Sequence, residues 1–249
     1  MIYVVCSWFL LFLLYSMFGY IIEVISVSIH AKKWVFNRGF LIGPYLPIYG
    51  FGSLIMVLFL NRYENDLLAL FVMSAFLCTL LEYITSLIME KIFQLRWWDY
   101  SDRKFNINGR VCLDNALLFG VGGILVVKVI HPALSWVVYQ PSSTVIIVLA
   151  ICLFVVFLLD VVESSYITVR LKINISHYIR KDATAKIKKE VLAALHKHIT
   201  LTSRLLRAFP NVSYDANKKV KEFLQLLDKT KKEMKIQKLK KKIKKEKKK

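Results

Sequence analysis

The chain of 249 residues is 56% hydrophobic and 21% charged, with a mean hydropathy of +0.49 and a formal charge of +19. Residues 1–169 hold 10 Lys/Arg and 10 Asp/Glu, so the whole net charge falls in residues 170–249. That split excludes one uniform globular domain, and four cysteines far apart in sequence (Cys6, Cys78, Cys112, Cys152) exclude a secreted disulfide scaffold. What remains is an apolar, charge-balanced membrane part, 1–169, followed by a Lys-rich helical tail, 170–249.

A helix that spans a bilayer needs ~20 apolar residues. The first such run starts at Ile2, passes Ile22 and continues beyond Glu23 to Ile29. It has no basic n-region and no small-residue cleavage site, so it reads as a span rather than a removed signal peptide. Leu41 to Leu60 is the second run, interrupted by Gly43, Pro44, Pro47, Gly50 and Gly52. Leu67 to Ile88, Leu113 to Ile130 and Thr144 to about Ile167 complete an all-α architecture of about five spans. Positive charge alternates with them. Lys32, Lys33 and Arg38 follow the first span, and Lys91, Arg96, Arg103, Lys104 and Arg110 follow the third. The other two loops carry Arg62 and no Lys or Arg at all. The positive-inside rule then predicts an N-terminus outside and a cytoplasmic tail. Trp34, Trp97 and Trp98 would lie at the inner interface, with Trp136 and Tyr139 at the outer one.

Four acids fall within spans: Glu23, Glu82, Asp160 and Glu163. A charge at a helix centre costs ~2.5–3.5 kcal/mol on insertion scales. All four lie toward the inner end, where proximity to headgroups alone could account for them. Their neighbours suggest more. Tyr15, Gly19, Glu23 and Ser26 share one helix face, as do Glu82, Ser86 and Glu90, and Asp160 with Ser164. Polar residues on one face of a lipid-buried helix point at other helices or at water. The expectation is a polar inner-face cluster of Glu23, Glu82 and Asp160 with Arg38 and Arg110 as counter-charges.

The second run is unusual. Gly39 and Gly43 allow close helix approach, while Pro44 and Pro47 each remove a backbone donor. Freed backbone groups at membrane depth are tolerated only against protein or water. Gly39, Gly43, Pro44, Pro47, Tyr49 and Gly50 therefore belong either to a kinked packing helix or to a broken helix lining a cavity, as at the sites of many transporters. Between the third and fourth runs, Trp97, Trp98, Asp99, Tyr100, Asp102, Asn106, Asn108, Gly109 and Arg110 mix rigid aromatics with charged and amide groups. That composition belongs to a folded loop with a task, and Asp99 and Asn108 join the candidate cluster.

Four strings carry a resemblance: Asn37-Arg-Gly-Phe-Leu-Ile-Gly-Pro-Tyr-Leu-Pro-Ile-Tyr-Gly-Phe-Gly52, Glu82-Tyr-Ile-Thr-Ser-Leu-Ile-Met-Glu-Lys-Ile-Phe93, Trp97-Trp-Asp-Tyr-Ser101 and Phe105-Asn-Ile-Asn-Gly-Arg-Val-Cys-Leu113. Over about residues 5–165 the chain resembles the bacterial ABC-transporter permease family of CmpB type. Phe119-Gly120 stands where that family has Trp-Gly. The resemblance implies a polytopic bacterial inner-membrane protein and a membrane subunit of a transport system. No phosphate-binding G-x-x-x-x-G-K-[ST] loop occurs, so an ATPase would come from another chain. Five spans are few for a complete pathway, which favours a homo-oligomer or a partner. No C-x-x-C, H-E-x-x-H or G-x-S-x-G pattern suggests a metal, a cofactor or a catalytic residue. His196 and His198 read as solvated surface of a charged helix.

Two rival functions stand beside transport. One is a membrane-embedded enzyme or lipid-handling protein acting on a polar headgroup through Arg38, Glu82, Asp99 and Arg110. The other is a scaffold recruiting partners through its tail. Arg170 to Leu206 reads as helix, Pro210 breaks it, and an amphipathic stripe resumes at Val220. Lys dominates from Lys229. Anionic membrane lipid is the first expected ligand of this tail, at ~1 kcal/mol per Lys that reaches the surface. Nucleic acid is the second, and a solvated coil or short coiled coil without a ligand is the third.

Overall fold

The computed structural model describes residues 1–179 apart from Asn37, Gln94 and Leu95; the side chains of His30 and of residues 171–179 are also left aside. Most of the tail, from residue 180 onward, lies outside the described residues. Helix α1 is Ile2–Ala31, α2 is Pro47–Leu60 and α3 is Leu67–Phe93. A two-stranded hairpin follows, β1 (Asn106–Ile107) and β2 (Val111–Cys112). Then come α4 (Leu113–Leu125), a π turn (Val126–Ile130), α5 (His131–Tyr139) and α6 (Ser143–Ile179). The protein is an all-α membrane protein in which four helices, α1, α3, α4 through α5, and α6, are long and apolar enough to cross a bilayer.

The second expected span is not a helix of spanning length. Its 14 helical residues reach about 21 Å, short of a hydrocarbon core of about 30 Å. The reason is local. Pro47 sits at the first turn, where its missing N–H costs nothing, and Leu46 before it is extended (φ −119°, ψ 99°). Gly39 adopts φ 85°, a conformation open to glycine. The residues ahead of Pro47 are therefore non-helical. They still run the length of α1 in reverse. The Tyr20 hydroxyl bonds the Phe36 carbonyl, Arg38 meets Glu23, and the Leu46 N–H donates to the Ser16 carbonyl at 2.9 Å. Phe51 then packs on Phe12 with ring centroids 4.9 Å apart, and Leu60 shares a cluster with Trp8. A discontinuous segment, half irregular and half α2, thus runs antiparallel to α1.

Close packing against α1 depends on missing side chains. A Cβ on Gly19 would run into the Tyr49 ring, and one on Gly50 into Ser16 Oγ and the Phe12 ring. One buried cluster joins α2, α3 and the π turn through Met56, Val57, Leu60, Leu70, Cys78, Val126 and Val127. A second joins α1, α5 and α6 through Leu10, Leu11, Tyr15, Val138, Ile146 and Ala150. The apolar residues on the outer faces of α3 and α6 are exposed, as lipid contact requires. Helix α6 continues without interruption through Arg170 to Ile179.

Candidate functional site: a polar end of the bundle

The end of the bundle that carries Arg38 and Arg110 gathers the candidate residues into three neighbouring groups. The first spans α1 and the irregular segment. Arg38 Nη2 donates to Glu23 Oε1 at 2.5 Å, and the Tyr49 hydroxyl donates to Glu23 Oε2 at 3.2 Å. Both charged side chains are largely covered, at 16% and 27% exposure. A pair this sheltered is strongly destabilising to break, because either partner alone would be an uncompensated charge.

The second group fixes the breakpoint. Asp160 Oδ1 accepts the Ile42 N–H and Oδ2 the Gly43 N–H, both at 2.7 Å. The Tyr45 hydroxyl donates to Oδ2 at 2.6 Å and Ser164 Oγ to Oδ1 at 2.9 Å. A carboxylate of α6 thus supplies the acceptors that the irregular backbone lacks, which is the condition for such backbone to exist at membrane depth. Among the described residues no arginine pairs with Asp160; amide and hydroxyl donors take that place. Glu163, one step further round the helix, is exposed.

The third group joins α3 to the loop that follows it. Arg110 Nη1 donates to Glu90 Oε2 at 2.6 Å and to Ser86 Oγ at 3.2 Å. Its guanidinium carbon stands 5.8 Å from the centre of the Tyr83 ring. Arg110 therefore pairs with Glu90 rather than with Glu82. Arg96 stands 3.6 Å from Glu90 and 3.4 Å from Asp99, and it donates to the Asn108 carbonyl at 2.6 Å. Asp99 also accepts the Ser101 hydroxyl at 2.6 Å and the Ser101 N–H at 3.0 Å. The Ser101 hydroxyl, with Arg96 assisting, holds the Asp99 carboxyl below the usual carboxylate range. Asn108 donates to the Tyr83 hydroxyl at 3.0 Å. Asn108 and Gly109 both have positive φ, 53° and 65°, and a Cβ on Gly109 would strike Asp99 and Ser101. Trp98 Nε1 donates to the Arg110 carbonyl at 2.9 Å, and Trp97 is 3% exposed against Phe40 and Phe93. The loop is a small folded unit, with its tryptophans used for packing.

Glu82 sits between these groups. It is 7% exposed. Its Oε1 accepts the Tyr100 hydroxyl at 3.2 Å and the Asn115 amide at 3.4 Å. Burial, with the Glu82 carboxyl beside it, pushes the Tyr100 phenol up, so Tyr100 stays a hydrogen-bond donor.

Partners that sequence reasoning does not single out are Tyr45, Ser101 and Asn115, together with a network at the other end of the fold. There the Tyr15 hydroxyl lies 2.6 Å from His131 Nδ1 and Ser135 Oγ 3.1 Å from it, just past the π turn. Two sequence signals were open: His131 and Ser135 stand i, i+4, and Pro132 marks an irregular step. Among the described residues, no three His, Cys, Asp or Glu side chains come together as a metal site.

Fold and polar end together define a polytopic helical membrane protein with a broken second traverse. The chain belongs to the family described as "Putative ABC-transporter type IV", which matches residues 10–165. No curated protein and no solved structure matches it.

Proposed function

We propose that the chain is the membrane subunit of a transport system, with its substrate path beside the broken traverse and its ATP hydrolysis supplied by a separate subunit. The observation that carries this reading is the Asp160 latch. An irregular backbone stretch at membrane depth, held by a carboxylate of another helix, is costly unless it serves a site. Family membership points the same way. The Glu23–Arg38 pair, Glu82 and the Arg110 loop with Asp99 and Asn108 gather polar groups at the same end, which supports this reading. The loop charges support a cytoplasmic position for that end, with the N-terminus outside. Residues 170–249 then form a basic cytoplasmic extension facing anionic lipid, and a second copy of the chain completes the pathway.

The test is purification of the full-length chain from its own membranes under mild detergent. An ATPase chain in fixed stoichiometry, whose hydrolysis rate falls in an Asp160→Asn variant that still assembles, is the expected result. Product formed from lipid by the purified chain alone would replace transport with headgroup chemistry.

A further inference from the structure

We propose that Glu82 is a proton-binding site: its carboxyl carries a proton on Oε2 at rest and exchanges it with water at the polar end of the bundle. The proposal does not rest on the transport reading. Glu82 is more than nine-tenths buried, in the middle of the polar stripe of α3. Its two oxygens are treated differently. Oε1 accepts from Tyr100 and Asn115, whereas Oε2 is buried with no hydrogen-bond partner among the described residues. A bare carboxylate oxygen in that position would be an unpaired charge in a low-dielectric interior, a far larger penalty than an unpaired neutral hydroxyl. A proton on Oε2 removes the charge and leaves both bonds to Oε1 intact.

The surroundings withhold every alternative counter-charge. From α1, Glu23 is already paired with Arg38 of the irregular segment. From α2, the Tyr49 hydroxyl donates to Glu23 and lies within electrostatic reach of Glu82 and Tyr100. On α3 itself, Cys78 stands one turn before Glu82 and Ser86 one turn after. From the loop, Arg110 spends its charge on Glu90, and Tyr100 donates its hydroxyl to Oε1. From α4, Asn115 is a neutral donor, and Asp114 is exposed against Arg103. From α6, Asp160 is taken up by Ile42, Gly43, Tyr45 and Ser164. The cations at this end are engaged by other acids, and none of these ion pairs includes Glu82. Tyr100, on the folded loop, donates to Oε1 and so leaves Oε2 as the oxygen that carries the proton.

The test uses the full-length chain in lipid nanodiscs. An apolar carbodiimide adds only to a protonated carboxyl: its nitrogen takes the acid proton while the carboxyl oxygen bonds its central carbon. At neutral pH, peptide mapping is expected to find the adduct on Glu82 in preference to Glu23, Glu90 and Asp160, and to lose it as pH rises. Infrared spectra should show a protonated-carboxyl C=O band that disappears in Glu82→Gln and survives, shifted, in Glu82→Asp. The labelling requires no variant, so a folding defect in Glu82→Gln leaves the test intact. The proposal is overturned if Glu82 stays unlabelled at neutral pH while an exposed protonated acid reacts at low pH. It is also overturned if the band is lost on adding sodium or potassium at constant pH, since the occupant would then be an alkali cation.

Discussion

At the scale of single residues, absent side chains and buried carboxylates set the constraints. Gly50 lets α2 lie on Ser16 and Phe12, whereas a methyl group on Gly122 would meet nothing within 4 Å. Gly50→Leu should therefore lower stability by about 1–3 kcal/mol, the usual cost of overpacking, while Gly122→Ala should be neutral or slightly stabilising. Thermal unfolding in one detergent, comparing the two variants, checks this. Equal melting temperatures would remove the close α1–α2 contact. The acids and arginines of the polar end were legible in the sequence as types at helical spacing. Their partners were not. Arg110, read as a counter-charge of the cluster without an assigned partner, lies against Glu90, because two turns of α3 present Glu82 and Glu90 on one stripe and only the fold of the loop decides which one it reaches. Asp160 was expected to need an arginine, yet the orphaned N–H groups of Ile42 and Gly43 had the same need from the other side. Two glycines and two prolines in one apolar run were the available signal that backbone donors would seek an acceptor.

At the scale of elements, the irregular segment and the Arg110 loop each hang on one carboxylate. Asp160→Asn keeps the shape but removes the charge and one acceptor oxygen. Bonds to a charged group contribute about 1.5–3 kcal/mol, so amide exchange at Ile42 and Gly43 should quicken roughly tenfold or more while α1 and α3 keep their protection. Unchanged exchange there would show that the segment is held by its packing. The Asp99 carboxyl titrates below its unfolded value. Its stabilisation of the loop is present above the ordinary carboxylate range and is lost as pH falls through the lower, folded value. Trp97 and Trp98 emission should shift over that acidic window, and the step should be missing in Asp99→Asn. Four of the five expected spans matched helices, since each is an unbroken apolar run. The second matched only in its later half, because Pro47 starts a helix rather than continues one, which is the broken-helix outcome that its glycines and prolines left open.

At the scale of the whole molecule, topology makes the sharpest prediction. Residues 61–66 and 140–142 connect elements at one end, and the turn after α1 and the loop that carries Lys104 lie at the other. With the native cysteines replaced, Ser142→Cys should react with an impermeant maleimide on intact cells and Lys104→Cys only after permeabilisation. The reverse pattern would invert the charge-based orientation. Both positions are exposed, so reactivity reports the side of the membrane and not burial.

The latch also has a mechanical meaning. Helix α6 is 37 residues long, about 55 Å of rod, and so outreaches the bilayer by a wide margin. It is pinned near its middle to the irregular backbone ahead of α2. A rod held at such a pivot is a lever: a sideways push on its free end tugs the Ile42 and Gly43 amides directly, with no relay of intervening side chains. Whatever grips the basic extension at one end of the rod therefore pulls on the irregular segment held at its middle.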